Sequence, residues 1–74
     1  MALYSEVYEY LRLHHGEVTY VELVKWVQSW YKVEKLDAEY FIDRLIIDYD
    51  QVFEFVPMHN EGKKRFPRIV RLVE

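Results

Sequence analysis

VFEFVPMHNEGKKRFPRIVRLVE, residues 52–74, carries no helical periodicity and divides into two β-rich runs, VFEFVPMH and RIVRLVE, around a charged, turn-prone centre. Val, Phe and Ile favour the pleated backbone, and Asn60 and Gly62 mark the reversal between the runs. Pro57 and Pro67 stand at the ends of the runs nearest the turn, where a missing N–H costs little and edge pairing is discouraged. The segment therefore predicts a C-terminal β-hairpin with a long tip, with Phe53, Phe55, Val70 and Leu72 facing inward. Its charge is equally uneven. Residues 63–74 hold Lys63, Lys64, Arg65, Arg68 and Arg71 against Glu74 alone, whereas residues 1–62 hold twelve acids and five bases. A chain of net charge −3 thus gathers its positive charge at one end, which points to a charged partner there.

The fifty residues before the hairpin read as helical. LYSEVYEYLRLHH spaces Leu3, Val7, Tyr10, Leu11 and His14 along one face, with Ser5, Glu6, Glu9 and Arg12 opposite. Gly16 suits the left-handed position just past a helix end. In VTYVEL, Thr19 is the expected cap and Glu22 can reach back to its N–H, while Val18 and Leu23 have the spacing of a hydrophobic staple. The second helix is expected over Tyr20 to Tyr31, burying Tyr20, Leu23, Val24, Val27, Trp30 and Tyr31. In KVEKLDAEYF, Asp37 is the expected cap of a third helix over Ala38 to Tyr49. That helix should bury Ala38, Phe41, Ile42, Leu45 and Tyr49, and turn Glu39, Tyr40, Asp43, Arg44, Ile46, Ile47 and Asp50 outward.

Composition bounds the class. The 74 residues are 51% hydrophobic and 18% aromatic, enough to build one core in one domain spanning residues 1–74. No cysteine is present, which excludes disulfides and thiolate metal sites and leads us to expect a reducing, cytoplasmic setting. No apolar run reaches the ~20 residues of a membrane span, and MALYSEVYEY lacks the basic start of a signal peptide. Scarce Asn and Gln beside abundant Glu, Lys, Tyr and Val resemble thermophilic usage.

The sequence holds little that could carry catalysis. Adjacent His14 and His15 diverge by about 100° on a helix and cannot share a metal. His59 beside Glu61 reads as a solvated loop histidine. Gly16 and Gly62 alone cannot form a phosphate-binding loop, and Ser5 and Ser29 have no evident His–Asp partnership. Asp48 and Asp50 read as solvated acids. The expectation is a non-enzyme with no catalytic residues, metal or cofactor.

Helix, short extended bridge at Glu17–Val18, capped helix, tight turn, helix and terminal hairpin is an order that resembles the winged helix-turn-helix superfamily. The resemblance spans essentially the whole chain through GEVTYVEL, LDAEYFIDRLIID and residues 52–74. It implies an α+β fold, a three-helix body with a C-terminal hairpin wing. It further implies double-stranded DNA as partner, a role in transcription regulation, a third helix placed in the major groove and a wing following the backbone. Carried over, Lys63, Lys64 and Arg65 occupy the wing tip, and Arg68 and Arg71 follow on the return strand, all directed at phosphates. Phe66 reads as packing at the base of the wing. The third helix departs from the pattern, because Glu39, Asp43 and Asp50 oppose phosphate and only Arg44 favours it. It can dock by its N-terminal end through Lys32, Lys35, Tyr40 and Arg44. The alternative is a protein-interaction module, an accessory subunit of a replication or transcription complex that uses Tyr40 and Ile47 on the third helix. Tyr4, Tyr8 and Leu11 extend the apolar surface of the first helix sideways, which predicts a homodimer through that helix.

Overall fold

A computed structural model describes residues 3–57 and 68–73. The elements run α1 (Leu3–Leu13), β1 (Glu17–Thr19), α2 (Tyr20–Tyr31), α3 (Lys35–Asp48), β2 (Phe53–Pro57) and β3 (Arg68–Leu72). The three strands form one antiparallel sheet in the order β1–β3–β2. The fold is α+β, as residues 52–74 indicated.

α1 buries Leu3, Val7 and Leu11, one residue per turn along a single line. It ends where the N–H groups of His14 and Gly16 both donate to the Leu11 carbonyl, at 2.9 and 2.7 Å. His15 and Gly16 both take positive φ, 65° and 89°. The reversal is a two-residue left-handed turn, of which the glycine was the legible half. It delivers the chain into β1, and the Gly16 carbonyl accepts from the N–H of Leu72 at 2.8 Å.

Thr19 closes β1 and opens α2. Its Oγ1 accepts from the N–H of Glu22 at 3.1 Å. The Glu22 carboxylate accepts instead from the Tyr10 hydroxyl at 3.2 Å, tying α2 to α1. α2 buries Tyr20, Leu23, Val24 and Val27. Trp30, expected in the core, is 60% exposed. His14, placed at the edge of the α1 stripe, is also exposed; its Nδ1 donates to the Tyr10 carbonyl at 2.7 Å. Trp30 lies on the flank of α2 beside Trp26, off the face on which Val27 and Tyr31 pack, and His14 follows the last residue of α1.

Lys32 ends α2 in the left-handed region, φ 58°, with its N–H returned to the Gln28 carbonyl. This sharp reversal lets α3 begin at Lys35, three residues before the expected start. The cap is Glu34, whose side chain makes no capping bond. Asp37 lies in the first turn, where its charge complements the helix dipole. The buried face is Ala38, Ile42, Leu45 and Ile46. Ile46 thus replaces Tyr49 in the core, and Phe41 is half-buried. Tyr49 has left the helix, with ψ 48°, and its ring meets that of Tyr4 at 4.5 Å near the surface.

The β2–β3 pairing sets Phe53 opposite Leu72, Phe55 opposite Val70 and Pro57 opposite Arg68. Phe53, Val70 and Leu72 are buried and Phe55 is half-buried, so the expected inward face is the one observed. β3 is the central strand, flanked on its other side by β1 with Val18 opposite Val70. The core joins all six elements. Its fully buried large side chains are Leu11, Leu23, Ile42 and Phe53, with Val7, Val27 and Val70 beside them. No helix among the described residues is long and apolar enough to cross a membrane.

Candidate functional site

Three features outside the core bear on function: the open end of the hairpin, the outer face of α3, and a row of rings over α1 and α2.

The hairpin's open end is fixed by register. Pro57 and Arg68 are paired, so residues 58–67 connect two strand ends held side by side. His59, Glu61, Gly62, Lys63, Lys64, Arg65, Phe66 and Pro67 belong to this connection and lie outside the described residues. Arg68 stands at its foot. The guanidinium carbon lies 4.4 Å from the ring centroid of Tyr20 and 4.4 Å from that of Phe55. The two rings meet edge to face at 5.6 Å. The Tyr20 hydroxyl donates to Asp43 Oδ1 at 3.0 Å, tying α2 to α3 beneath the strand. Burial holds the Tyr20 phenol above its ordinary pKa, reinforced by the bond to Asp43 and by the charges of Asp43 and Glu39, with Arg68 acting in the opposite direction. Asp43, Glu39 and Arg68 all act on this one phenol. Asp43 and Glu39 of α3 therefore lie on the same side of the molecule as the foot of the basic hairpin.

Arg71, three residues further, is also engaged. Its Nε donates to Glu54 Oε2 at 2.8 Å and its Nη2 donates to the same oxygen. Glu54 is its register partner in β2, and Glu17 is its register partner in β1. A basic side chain on the central strand thus sits between acids on both neighbours, a cross-strand arrangement that supports the sheet. Sequence spacing could count Arg68 and Arg71 among the cations; only the register shows what each one touches.

The outer face of α3 carries Leu36, Tyr40 and Ile47 at 77%, 61% and 66% exposure. Lys35 and Arg44 are exposed, and Arg44 Nη2 lies 3.8 Å from Asp48 Oδ1. The expectation that Tyr40 and Ile47 face outward agrees with these positions. Leu36 is the most exposed of the three, because the early start of α3 turns it away from the body.

The lateral residues of α1 are placed differently from the homodimer expectation. Leu11 is 0% exposed and offers no side-chain area to a second chain. This is a correction: its i+4 spacing from Val7 points it straight into the core. Tyr4 is half-buried, with its ring against Tyr49 and edge-on to Phe53 at 5.8 Å. Tyr8 is half-buried and lies 6.3 Å from Tyr4. Much of the sideways apolar surface of α1 is covered by this chain's own rings.

The ring row escaped sequence reasoning. Tyr10 stacks on Trp26 at 4.5 Å, Trp26 is near-parallel to Trp30 at 6.1 Å, and His14 closes the other end against Tyr10 at 4.3 Å. Trp26 and Trp30 are one turn apart with Glu22 one turn before them. That i, i+4 series was the available signal, hidden by a helix with apolar residues on more than one side. At the far side Tyr31 donates to Glu6 Oε1 at 2.9 Å. Among the described residues, no group of three His, Asp or Glu converges on a common point. Comparison of the chain with protein-family models, curated proteins and solved structures yields no match.

Proposed function

We propose that this chain is a winged helix-turn-helix domain that binds double-stranded DNA and acts in transcription regulation. The order helix, strand, helix, helix, hairpin supports the class, together with a first strand that pairs with the last. The observation that carries the functional reading is the β2–β3 register. By pairing Pro57 with Arg68, it makes Lys63, Lys64 and Arg65 part of one connection at the end of a sheet anchored in the core. Three adjacent cations so tethered suit a phosphate backbone, where each contact releases condensed counterions.

The roles divide along the strand. Lys63, Lys64 and Arg65 make the phosphate contacts, while Arg68 and Arg71 hold the strand from which they leave. Lys35, Tyr40 and Arg44, with Lys32 before them, put the N-terminal half of α3 alongside the duplex. Contact through that half keeps Asp48 and Asp50 away from phosphate, while Asp37, Glu39 and Asp43 stay near it and weaken the α3 contribution. The affinity expected is backbone-led and tolerant of sequence, because one arginine and one tyrosine give α3 few means of reading base edges.

Fluorescence anisotropy with a labelled duplex at low salt tests the reading. Wild type is expected to bind, and Lys63→Ala/Lys64→Ala/Arg65→Ala to lose most of that affinity with its fold unchanged by circular dichroism. Equal affinity in the triple variant removes the connection from the site. No duplex binding by wild type at any salt removes DNA as the partner.

A further inference from the structure

We infer that the outer face of α3 is a docking surface for a basic, amphipathic helix of another protein. The inference goes beyond the DNA reading and does not depend on the phosphate contacts of Lys63, Lys64 and Arg65; at Tyr40 it competes with the duplex, so a helix seated here excludes α3 from DNA. Leu36, Tyr40, Asp43 and Ile47 are spaced four, three and four residues apart, the alternation by which one helix presents a seam to another. Three of the four are large and apolar, and those three are well over half exposed. The core does not need them, since α3 fills its inner face with Ala38, Ile42, Leu45 and Ile46. From Leu36 to Ile47 the seam runs about 16 Å at 1.5 Å per residue, the reach of a three-turn partner helix.

Charge identifies the occupant. The segment 35–50 carries Asp37, Glu39, Asp43, Asp48 and Asp50 against Lys35 and Arg44 alone. Arg44 and Asp48 offset each other, which leaves Asp37, Glu39 and Asp43 against Lys35 along the seam. Asp43 interrupts the apolar series at its middle. One of its oxygens accepts from Tyr20, and a carboxylate has acceptor sites beyond that one. A lysine or arginine set among the apolar residues of the partner would meet Asp43 and fix the register, as a single polar residue does in a coiled coil. A second copy of this chain fits poorly. Parallel pairing sets Asp43 against Asp43, a like-charge contact, and antiparallel pairing of the two seams sets Asp43 against Tyr40, so the central carboxylate meets no cation on the seam.

The probe is a labelled 18-residue peptide with leucine at heptad core positions and lysine at the flanking ones. Two controls accompany it, one with glutamate for lysine and one with the same composition but no apolar face. Against the full chain, the basic amphipathic peptide is expected to bind and both controls to bind at least about tenfold more weakly. Leu36→Ser/Ile47→Ser, changes at exposed positions that leave the core intact, should weaken the basic peptide by about tenfold or more. Asp37→Lys/Glu39→Lys should weaken it and flatten its salt dependence. Equal binding of either control peptide, or unchanged affinity in Leu36→Ser/Ile47→Ser, overturns the inference. So does sedimentation equilibrium showing a wild-type dimer that Leu36→Ser/Ile47→Ser converts to monomer, which would assign the seam to a second copy.

Discussion

Arg68 illustrates how one side chain can take part in structure at the foot of a charged segment. Its guanidinium lies against both Tyr20 and Phe55, contacts worth about 0.5–1 kcal/mol each at an exposed site. Arg68→Ala is expected to lower unfolding free energy by about 1–2 kcal/mol in urea titration. Arg68→Lys should recover only part of this, because an ammonium has no planar face to lay against a ring. Tyr20→Phe keeps the ring and loses the bond to Asp43, at a cost of about 1 kcal/mol. The phenol of Tyr31 gives a pH signature. Burial, then its bond to the Glu6 carboxylate and the charge of that carboxylate, push its pKa up to about 12, from about 10 in an unfolded chain. Below pH 10 the phenol is protonated in both states and its full contribution is present. Above pH 10 the unfolded chain ionises first, so stability falls as pH rises and the contribution is lost by about pH 12. Denaturant midpoints between pH 9 and 11.5 should decline less steeply in Tyr31→Phe than in wild type. At this scale the sequence showed which cations exist. It could not show that Arg71 meets Glu54, because residues seventeen apart become neighbours only through a strand register.

At the scale of elements, capping decides what was readable. Thr19 carries a side-chain signal, and α2 begins directly after it; Thr19→Ala should cost about 1 kcal/mol. α3 has no such signal, because Glu34 caps it without a side-chain bond. The nearest residue of capping type, Asp37, lies inside the helix instead. Replacing Glu34 by Ser should therefore stabilise the protein by about 0.5–1 kcal/mol, read as a rise in urea midpoint at constant slope. Gly16 sits at φ 89° with open space where a Cβ would stand, so Gly16→Ala tests backbone strain alone and should cost about 1–2 kcal/mol. Helical periodicity located α1 and α2 and their inner faces. It failed at Trp30, which lies on the flank of α2 while Tyr31 beyond it still packs on the core, and at His14 and Tyr49, which continue the pattern after their helices have ended.

For the whole molecule, β3 is the element on which the rest depends. It pairs on both edges and contributes Val70 and Leu72 to the core. Phe53, fully buried beside it, should cost about 3–5 kcal/mol on truncation to Ala. A chain of this length has only about 4–11 kcal/mol of total stability, so thermal unfolding of Phe53→Ala should begin near ambient temperature. The α+β architecture was legible because residues 52–74 change from helical to strand composition at one point. The candidate site was legible as charge, and much less so as surface, because the ring row and the α3 seam emerge only once helix faces are assigned to core or solvent. The central claim is that the connection between β2 and β3 grips phosphate, and the salt dependence of duplex affinity tests it most directly. Log affinity against log salt should be shallower in Lys63→Ala/Lys64→Ala/Arg65→Ala than in wild type by about 0.9 for each phosphate contact removed, near 2.7 for all three. An identical slope in the two proteins would contradict the account.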